Sequence, residues 1–584
     1  MKKFFKMTLA TFVGVFLFTV ICTGLLFILL GTVASLSDVP TTTKDNTVFH
    51  LELSGTLTER GADDVQTALL SRLSMSSSSI GLNDVLTAID NAEQDSHIKG
   101  IYLDFGTLSA SPASLNELRQ ALERFKSSGK FVIAYADYYT NGTYYLASTA
   151  DKIFLNPKGM LELTGMSFST IFFKSALDKL GVEMQVFKVG TFKSAVEPFT
   201  NTSMSAANRL QMETIVQSIW KQTCNAIAQC RHIEPAVIDR FANEGIFMQE
   251  PELAVQYGLI DSLLYRDNIK DALQTYVTEN HHTIKLSQMK HIVPKQKYMA
   301  DKIAVVYAVG SIDDESSLDG IKSEKLAKQL TDLSTDSMIK AVVLRINSPG
   351  GSAYGSEQLW HAAEVLKAKK PLVVSMGDYA ASGGYYMACN ADVIVAHPNT
   401  LTGSIGIFGL LPNTKPLTDK IGLSFDGVKT NKFSNLGTTS RPATEAEKLL
   451  IQRNIERGYA LFVKRCADGR GLSVDSIKTI AEGRVWTGID ALQLGLVDTL
   501  GNLQTAITIA AQRAHLEADA YAIKTYPPKK GVMDQLQEIF GSNVLQTEWL
   551  KSNLGENYHY LRLLQQAQAM QGVQALMPFV CDIR

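Results

Sequence analysis

The first forty residues of this chain follow neither the helical nor the strand pattern of apolar positions. Met7–Val33 carries no charged residue, and Lys2, Lys3 and Lys6 precede it. An apolar run of about 18 or more residues is long enough to cross a bilayer, whereas the apolar core of a cleavable signal has roughly 7–15. The pattern predicts one N-terminal transmembrane helix within residues 1–36.

The charges around this helix predict its orientation. No basic cluster follows it closely before Lys44, and cytoplasmic flanks carry the excess of Lys and Arg. We therefore expect a cytoplasmic N-terminus, a polar linker at 37–46 and export of the remaining chain. Thr32-Val-Ala34 is a loose match to a signal cleavage site, so cleavage after Ala34 stays an alternative to an uncleaved anchor.

From residue 47 onward, apolar strands alternate with amphipathic helices, and the series occurs twice. Ile98–Leu103 resembles Ile339–Leu344, 241 residues further on, and the same offset pairs Tyr144 with Tyr385. Such alternation is typical of α/β layers around a mostly parallel sheet. Chance similarity would not keep one register over so long a stretch, so the sequence predicts a tandem duplication.

Changes in this offset indicate where the copies begin and end. We expect a first domain at 47–290 and a second at 291–518. The first copy contains extra residues around Ser71–Ser79, which predict a loop. Residues 519–584 have no counterpart, and we expect them to form a peripheral C-terminal extension.

Composition excludes several classes of function. The chain of 584 residues is too long for one core. A net charge of −2 gives no basis for electrostatic binding of nucleic acid. Neither a metal-ligand spacing nor a Walker-type phosphate loop occurs, so we expect no metal and no other cofactor. The isolated cysteines indicate no disulfide framework; they are Cys22, Cys224, Cys230, Cys389, Cys466 and Cys581.

One turn in the second copy has a composition that is typical of a catalytic site. Pro371–Ser375 predicts a buried strand, Gly383-Gly384 permits a sharp turn, and Tyr385–Cys389 has the composition of a buried helix. Ser382 lies between them, where helix N–H groups are unpaired and the helix dipole is positive. A capping serine without a catalytic role would look the same, so this segment alone leaves both interpretations open.

A second glycine loop strengthens the catalytic interpretation. The apolar strand Val342–Ile346 ends in Asn347-Ser-Pro-Gly-Gly351, and paired glycines allow backbone N–H groups to face a ligand. Ser-Pro-Gly-Gly followed after about thirty residues by Ala-Ser-Gly-Gly offers one oxyanion donor from each loop beside a serine nucleophile.

These motifs resemble those of the signal peptide peptidase family, also called protease IV, in its long duplicated bacterial form. The resemblance extends from the anchor to about residue 515 and implies a crotonase/Clp-protease-like fold in each half. The matching segments are Asn347–Gly351, Gly377–Tyr386, Leu401–Phe408 and Val189–Pro198.

By position, the resemblance implies Ser382 as the nucleophile and Lys193 as the general base, with Ser404 orienting the lysine amine. A free lysine has a pKa near 10.4, which burial lowers by up to roughly 3–5 units. Lys193 lies in a stretch with few charges, which suits such burial. His361 and His397 lie outside both glycine loops, and we interpret them as structural.

The resemblance also implies an oxyanion hole formed by the N–H groups of Gly383 and Gly350, with Gly351 the alternative to Gly350. The two residues of the first copy that align with Gly350 and Gly351 are Ser109 and Ala110. The first copy therefore lacks this glycine pair.

The two copies lack opposite parts of the predicted dyad. Ser382 aligns with Asn141 of the first copy, and Lys193 aligns with Ser434 of the second. The first copy thus has the base without the nucleophile, and the second has the nucleophile without the base. We expect one composite site where the halves meet, within a chain or between subunits.

The function predicted is a membrane-anchored serine endopeptidase that degrades cleaved signal peptides and similar apolar peptides. It would lie in the inner (cytoplasmic) membrane as a single-pass protein, with its catalytic domains on the outer side. The resemblance implies a ring-like homo-oligomer, with a tetramer the expected form. Two alternatives stay open: a crotonase-like acyl-CoA enzyme, which covalent labelling of Ser382 would exclude, and a non-catalytic membrane scaffold, which would function normally after Ser382→Ala.

Overall fold

The computed structural model describes residues 2–37, 43–61, 79–292, 299–313, 320–518, 520–528, 550, 553–554, 558 and 573–577. The loop predicted at 71–79 lies outside the described residues except for its last residue, and so does Cys581. Below, "first half" denotes residues 47–290 and "second half" residues 291–518.

The chain begins with the helix Lys2–Ser37. Within it, Lys3–Gly24 has a mean hydropathy of 2.0, and none of that span is buried against the protein. Among the described residues, this is the one helix that is long and apolar enough to cross a membrane, judged by length and composition. It agrees with the span that the sequence predicts.

The first half is built on a parallel sheet. Its strands are β1 (Thr47–Thr58), β2 (Ser79–Gly81), β3 (Ile98–Ser109), β4 (Phe131–Tyr139), β5 (Lys152–Leu161), β6 (Glu183–Lys188), β7 (Ser262–Leu263) and β8 (His282–Lys285). The sheet order is β2-β1-β3-β4-β5-β7, β8 also pairs with β1, and β6 lies outside this sheet. Its helices are Leu82–Gln94, Pro112–Ser127, Asn141–Ala147, Lys174–Leu180, Glu197–Thr200, Ala206–Arg231, Pro235–Asn243, Glu252–Gln256, Ile269–Leu273 and Leu286–Met289.

The second half repeats the plan. Its strands are β9 (Lys302–Val309), β10 (Ile339–Ser348), β11 (Gly350–Ser352), β12 (Leu372–Ala381), β13 (Val393–Ala396), β14 (Leu401–Gly403), β15 (Phe408–Asn413), β16 (Val485–Thr487) and β17 (Thr499–Leu500). Two later strands, β18 (Ala522–Tyr526) and β19 (Val573–Leu576), follow it. Its helices are Ser323–Thr335, Ala353–Lys367, Gly383–Ala388, Lys415–Lys420, Glu445–Arg470, Val474–Ile480, Gly488–Gln493 and Leu503–Arg513.

Each half has its own apolar core around the central strands. Leu103 of β3 and Leu344 of β10 are fully buried, each in a separate large cluster. Strands of a parallel sheet are covered on both faces, which explains why the central runs Ile101–Leu103 and Ala341–Leu344 are continuously apolar.

Equivalent backbone angles and hydrogen bonds show the repeat in detail. Gly55 lies within the last part of β1, Gly310 directly follows β9, and both have φ +92°. The hydroxyl of Tyr385 donates to the carbonyl of Leu496, 2.9 Å away, and Tyr144 makes the equivalent bond in the first half. These features confirm the predicted α/β fold in tandem duplication.

A third sheet joins the two halves. Its order is β11-β19-β15-β6, so the first-half strand β6 pairs antiparallel with the second-half strand β15. The residues beyond 519 were expected to be peripheral. Instead, β18 extends the second-half sheet beside β9, and β19 lies between β11 and β15. Strand edges expose unpaired N–H and C=O groups, and these later strands satisfy them.

Candidate active site

Ser382 occupies a strained turn between β12 and the helix Gly383–Ala388. Its backbone angles are φ +55° and ψ −112°, a conformation that costs a non-glycine residue about 1–3 kcal/mol. Its N–H donates to the carbonyl of Gly403 over 2.8 Å. The Ser382 hydroxyl makes no capping bond to the helix, so it is available to another partner.

That partner is Lys193. Its Nζ lies 2.8 Å from Ser382 Oγ, and both residues have 0% of their surface exposed. Burial holds the pKa of the Lys193 ammonium well below its ordinary value, because a charged group loses its hydration when it is buried. A depressed pKa yields the neutral amine, which is the form that accepts a proton.

Ser404 completes the environment of the amine. Lys193 Nζ lies 3.1 Å from both the carbonyl oxygen and Oγ of Ser404. Ser404 itself has φ +51°, and its N–H donates to the carbonyl of Arg484 over 2.7 Å. The Ser404 loop therefore places two oxygens within hydrogen-bond reach of the Lys193 amine.

Lys193 reaches the second half because its segment leaves the first-half sheet. After β6 pairs with β15, the N–H of Phe192 donates to the carbonyl of Glu482 over 2.9 Å. A Cβ at Gly483 would lie 2.7 Å from the Cα of Lys193, so this contact requires glycine. The structure brings Lys193 and Ser382, 189 residues apart, together within one chain.

The two glycine loops also meet. A Cβ at Gly350 would lie 2.7 Å from the backbone nitrogen of Gly383, an approach that only glycine permits. The N–H of Gly350 donates to Ser348 Oγ over 3.2 Å. That bond engages the Gly350 N–H, and Gly351, the alternative that the resemblance offered, is paired in register with Ala575 of β19.

A buried ion network that the sequence did not predict links the strand before this loop to the first half. Arg345 of β10 contacts Glu59 and Glu117 of the first half at 2.6 and 2.7 Å, and Glu117 contacts His397 Nε2 at 3.1 Å. Burial would raise the pKa of Glu117, but the charges of Arg345 and His397 outweigh burial and hold it below its usual range. His397 is thus structural, as predicted.

One signal for this network was present in the sequence. Arg345 interrupts the apolar strand Val342–Ile346, and a charge in a buried strand requires a partner. Its partners come from the other half of the chain, which no local pattern reveals.

The turn aligned with Ser382 in the first half has no comparable site. The Asn141 amide bonds to Thr164 and Gly165, so it fastens a neighbouring loop. Ser434, aligned with Lys193, is exposed, and its hydroxyl donates to the carbonyl of Asn431 over 3.0 Å.

A family description and several relatives match this chain. Peptidase family S49 matches residues 124–278 and 364–517, once in each half. Protease 4 of Salmonella typhi is 35% identical, covering 85% of this chain and 82% of the relative. Protease 4 of Haemophilus influenzae is 37% identical, covering 75% and 73%. The chloroplastic serine protease SPPA of Arabidopsis thaliana is 30% identical, covering 83% and 72%.

Proposed function

The chain belongs to peptidase family S49 and is a serine-type peptidase, and from that premise we propose that Ser382 and Lys193 form its catalytic dyad. The observation that supports this most directly is the 2.8 Å separation of Lys193 Nζ and Ser382 Oγ. A serine hydroxyl needs a base within hydrogen-bond reach, and a buried neutral amine is a suitable one. The acyl-CoA alternative lacks comparable support.

The proposed reaction is acyl transfer in two steps. The Lys193 amine takes the proton of Ser382 as Oγ bonds to the scissile carbonyl carbon. Lys193 then gives that proton to the leaving amine as the C–N bond breaks. In the second step Lys193 takes a proton from water, which attacks the acyl-enzyme, and Ser382 is regenerated when it regains a proton.

Backbone N–H groups would stabilise the oxyanion in both steps. We propose Gly383 as one donor. The Gly350–Gly351 loop supplies the other, and the bond between Gly350 N–H and Ser348 Oγ favours Gly351 over Gly350. Ser404 acts as a positioning residue, because its two oxygens fix the direction of the Lys193 amine.

Apolar peptides, such as signal peptides after their release, are the proposed substrates. Ala381, next to the nucleophile, belongs to a buried apolar cluster with Met212, Ile215 and Leu401. These side chains come from both halves, and an apolar surface beside a nucleophile favours apolar segments.

We propose that the helix Lys2–Ser37 anchors the enzyme in the inner membrane by a single pass. Its uncharged span and the preceding lysines support a cytoplasmic N-terminus and catalytic halves on the outer side. The dyad is complete within one chain, so the expected homo-oligomer is not needed to assemble it.

The test compares purified wild type with Ser382→Ala and Lys193→Ala on an apolar fluorogenic peptide. Both variants should lose activity by about 10⁴-fold or more, as when a nucleophile or its base is removed in other serine peptidases. Ser434→Ala, which alters the position aligned with Lys193, is the matched control and should retain activity. Full activity in either dyad variant would exclude the proposal.

A further inference from the structure

The segment that carries Lys193 into the second half has no regular secondary structure of its own. It comprises residues 189–193, here called the base segment, and it lies between β6 and the 3₁₀ turn Ser194–Val196. The Lys193 N–H donates to the carbonyl of Gly190 over a long 3.4 Å. Such a segment opens locally more easily than a helix or strand, so its neighbours must fix the direction of the lysine side chain.

Buried polar groups of the first half fasten one end of the base segment. The hydroxyl of Ser194, next to Lys193, donates to Oδ1 of Asn208 over 2.9 Å. The Asn208 amide nitrogen donates to a carboxylate oxygen of Glu197 over 3.0 Å. Ser194, Glu197 and Asn208 are at most 3% exposed. Buried polar groups are costly without partners, so this network fixes that end to its own half.

One residue of the second half, Glu482, holds the residues before the base. Its Oε2 accepts from the N–H and from the hydroxyl of Thr191, at 3.2 and 2.6 Å. Its carbonyl oxygen accepts from the N–H of Phe192 over 2.9 Å. Glu482 thus binds the two residues that precede Lys193, one through its side chain and the other through its backbone.

The backbone of the Glu482 turn is shaped for this double contact. Glu482 has φ +53° and Gly483 has φ +77°, a left-handed conformation that is uncommon for a residue other than glycine. A Cβ at Gly190 would lie 2.5 Å from the Glu482 carbonyl oxygen, so the turn and the base segment approach as closely as glycine permits. Strained residues of this kind concentrate at functional sites.

The same turn also holds the loop of Ser404. The Gly483 N–H donates to the carbonyl of Ile405 over 2.9 Å, beside the bond from the Ser404 N–H to the carbonyl of Arg484. One short turn therefore sets the position of the base segment relative to the two Ser404 oxygens that contact the Lys193 amine.

We propose that Glu482 is a positioning residue for the catalytic base, because its carboxylate keeps the base segment bound to the second half with the Lys193 amine buried and within reach of Ser382. This inference rests on the proposed function. Glu482 is exposed, and it acts through Lys193. Without the carboxylate, the base segment opens more often and water reaches the amine, so the burial that lowers the pKa of Lys193 is partly lost.

Charge and burial would change the pKa of Lys193 in opposite directions. Titratable side chains surround the base segment: Glu482 and Arg484 lie on the turn, Glu197 on the first half, and Tyr459 is hydrogen-bonded to the Glu482 backbone. Removing a carboxylate charge lowers the pKa of a nearby ammonium, whereas admitting water raises a pKa that burial has depressed. Glu482→Ala should therefore move the pH profile of kcat to higher pH if Glu482 positions the base.

The test compares purified full-length wild type, Glu482→Ala and Glu482→Gln on an apolar fluorogenic peptide. At about pH 7, Glu482→Ala should lower kcat by about tenfold or more with KM unchanged, because a displaced base is costly. The loss should be smaller at about pH 9, where more of the amine is neutral. Glu482→Gln retains an acceptor for Thr191 and should restore kcat to within about threefold of wild type. A loss that is uniform in pH, or a shift to lower pH, would overturn the proposal.

Thr191 tests the same contact from its other side. Thr191→Val removes the hydroxyl and should reproduce part of the loss, whereas Thr191→Ser should not. Glu482→Ala/Thr191→Val should lose no more activity than Glu482→Ala, because both changes break one contact; additive losses would contradict the proposal. Glu244→Ala is the matched control, since Glu244 also precedes a glycine but forms an exposed ion pair with Arg240, and it should behave as wild type.

Hydrogen exchange separates this inference from the proposed dyad. The amides of residues 189–194 should exchange faster in Glu482→Ala than in wild type, and also in the Ser382→Ala background. If Lys193→Ala is fully active while exchange responds to Glu482→Ala, the dyad is wrong and Glu482 only anchors the segment. If the dyad variants are inactive but Glu482→Ala changes neither exchange nor the pH profile, the positioning role alone is wrong.

Discussion

The turns at Ser382 and Asn141 are the same element in two copies, and they differ in how they cap the helix that follows. In the first half, Thr140 caps the helix with its side chain, and its partner Thr143 completes a capping box. In the second half, Ser382 is the cap residue but makes no capping bond and has φ +55°. The first turn is locally satisfied, whereas the second is strained and keeps its hydroxyl for Lys193.

This difference has a cost in stability for the second half. A capping side chain typically contributes about 1 kcal/mol to stability, and positive φ at a serine costs more. The surrounding contacts hold Ser382 in place nevertheless, because strain persists only where the structure over-determines it. The first half has the same turn in a locally satisfied form.

The largest expected effect comes from giving the second turn the residue of the first. Ser382→Asn should reduce kcat/KM by about 10⁴-fold or more, because the nucleophile is lost. Asn141→Ser should create no second site, since Ser434 and not a lysine occupies the aligned position. Peptidase assays of both variants check this, and activity in Ser382→Asn/Asn141→Ser would contradict it.

The next effect concerns how each half holds its central strand. Arg345 of β10 is bound by buried carboxylates of the other half, whereas Asp104 of β3 is bound by Arg266 of its own half. Arg345→Met leaves two buried carboxylates without their cation and should lower the free energy of unfolding by about 3–5 kcal/mol.

Asp104→Asn is the comparison for that change. Arg266 is half exposed, so we expect a cost of no more than about 1 kcal/mol. Denaturant titration measures both variants. A larger loss for Asp104→Asn than for Arg345→Met would refute the asymmetry between the halves.

Glycine should act with opposite sign in the two turns. Ser382→Gly removes the penalty of positive φ and should raise the free energy of unfolding by about 1 kcal/mol. Asn141→Gly removes the side chain that fastens Thr164 and Gly165, and it should lower stability by about 1 kcal/mol. Chemical denaturation of the two variants gives the signs directly; a loss of stability in Ser382→Gly would mean that the Ser382 turn is not strained.

The last prediction concerns the pH dependence of stability. The pKa of Lys193 is depressed in the folded protein and is about 10.5 in the unfolded chain. Between these two pKa values the unfolded state holds more protons, so the free energy of unfolding rises with pH in that window. Below the folded pKa both states are protonated, and this contribution no longer changes.

Lys193→Met should remove this slope because it retains the apolar stem without the amine. Stability measured from neutral pH to about pH 10.5 in wild type and variant checks the prediction. Ser434→Ala serves as the control and should follow wild type. Parallel curves for wild type and Lys193→Met would show that the lysine titrates as if exposed.

Local pattern was sufficient for the repeated elements. The strand expected at Pro371–Ser375 appears as β12, although β12 runs on to Ala381. The strand extends because Tyr379 to Ala381 pair with β14, a contact between segments that a short apolar run does not indicate. The expected helix after Ser382 is present at Gly383–Ala388.

The expectation that residues 519–584 form a peripheral extension was wrong because it, too, rested on local sequence pattern. Residues beyond 519 lack a repeat partner, and a segment without a partner looks peripheral in sequence. Yet Ala575 and Met577 are buried, and the carbonyl of Ala575 lies beside Gly350 and Gly383. The short run Val573–Met577 does not show in sequence that it pairs with the edges of β11 and β15.

The sequence by itself determined the duplicated α/β elements and the complementary loss of serine and lysine between the copies. Periodicity and register are local or repeated properties, and one chain displays them fully. Tertiary structure alone decided that β6 crosses to β15 and so carries Lys193 to Ser382 within the same chain. It also decided that Ala575 faces the glycine loops. Both outcomes depend on which distant strand edges pair, and that choice is made by the burial and hydrogen bonding of the whole fold.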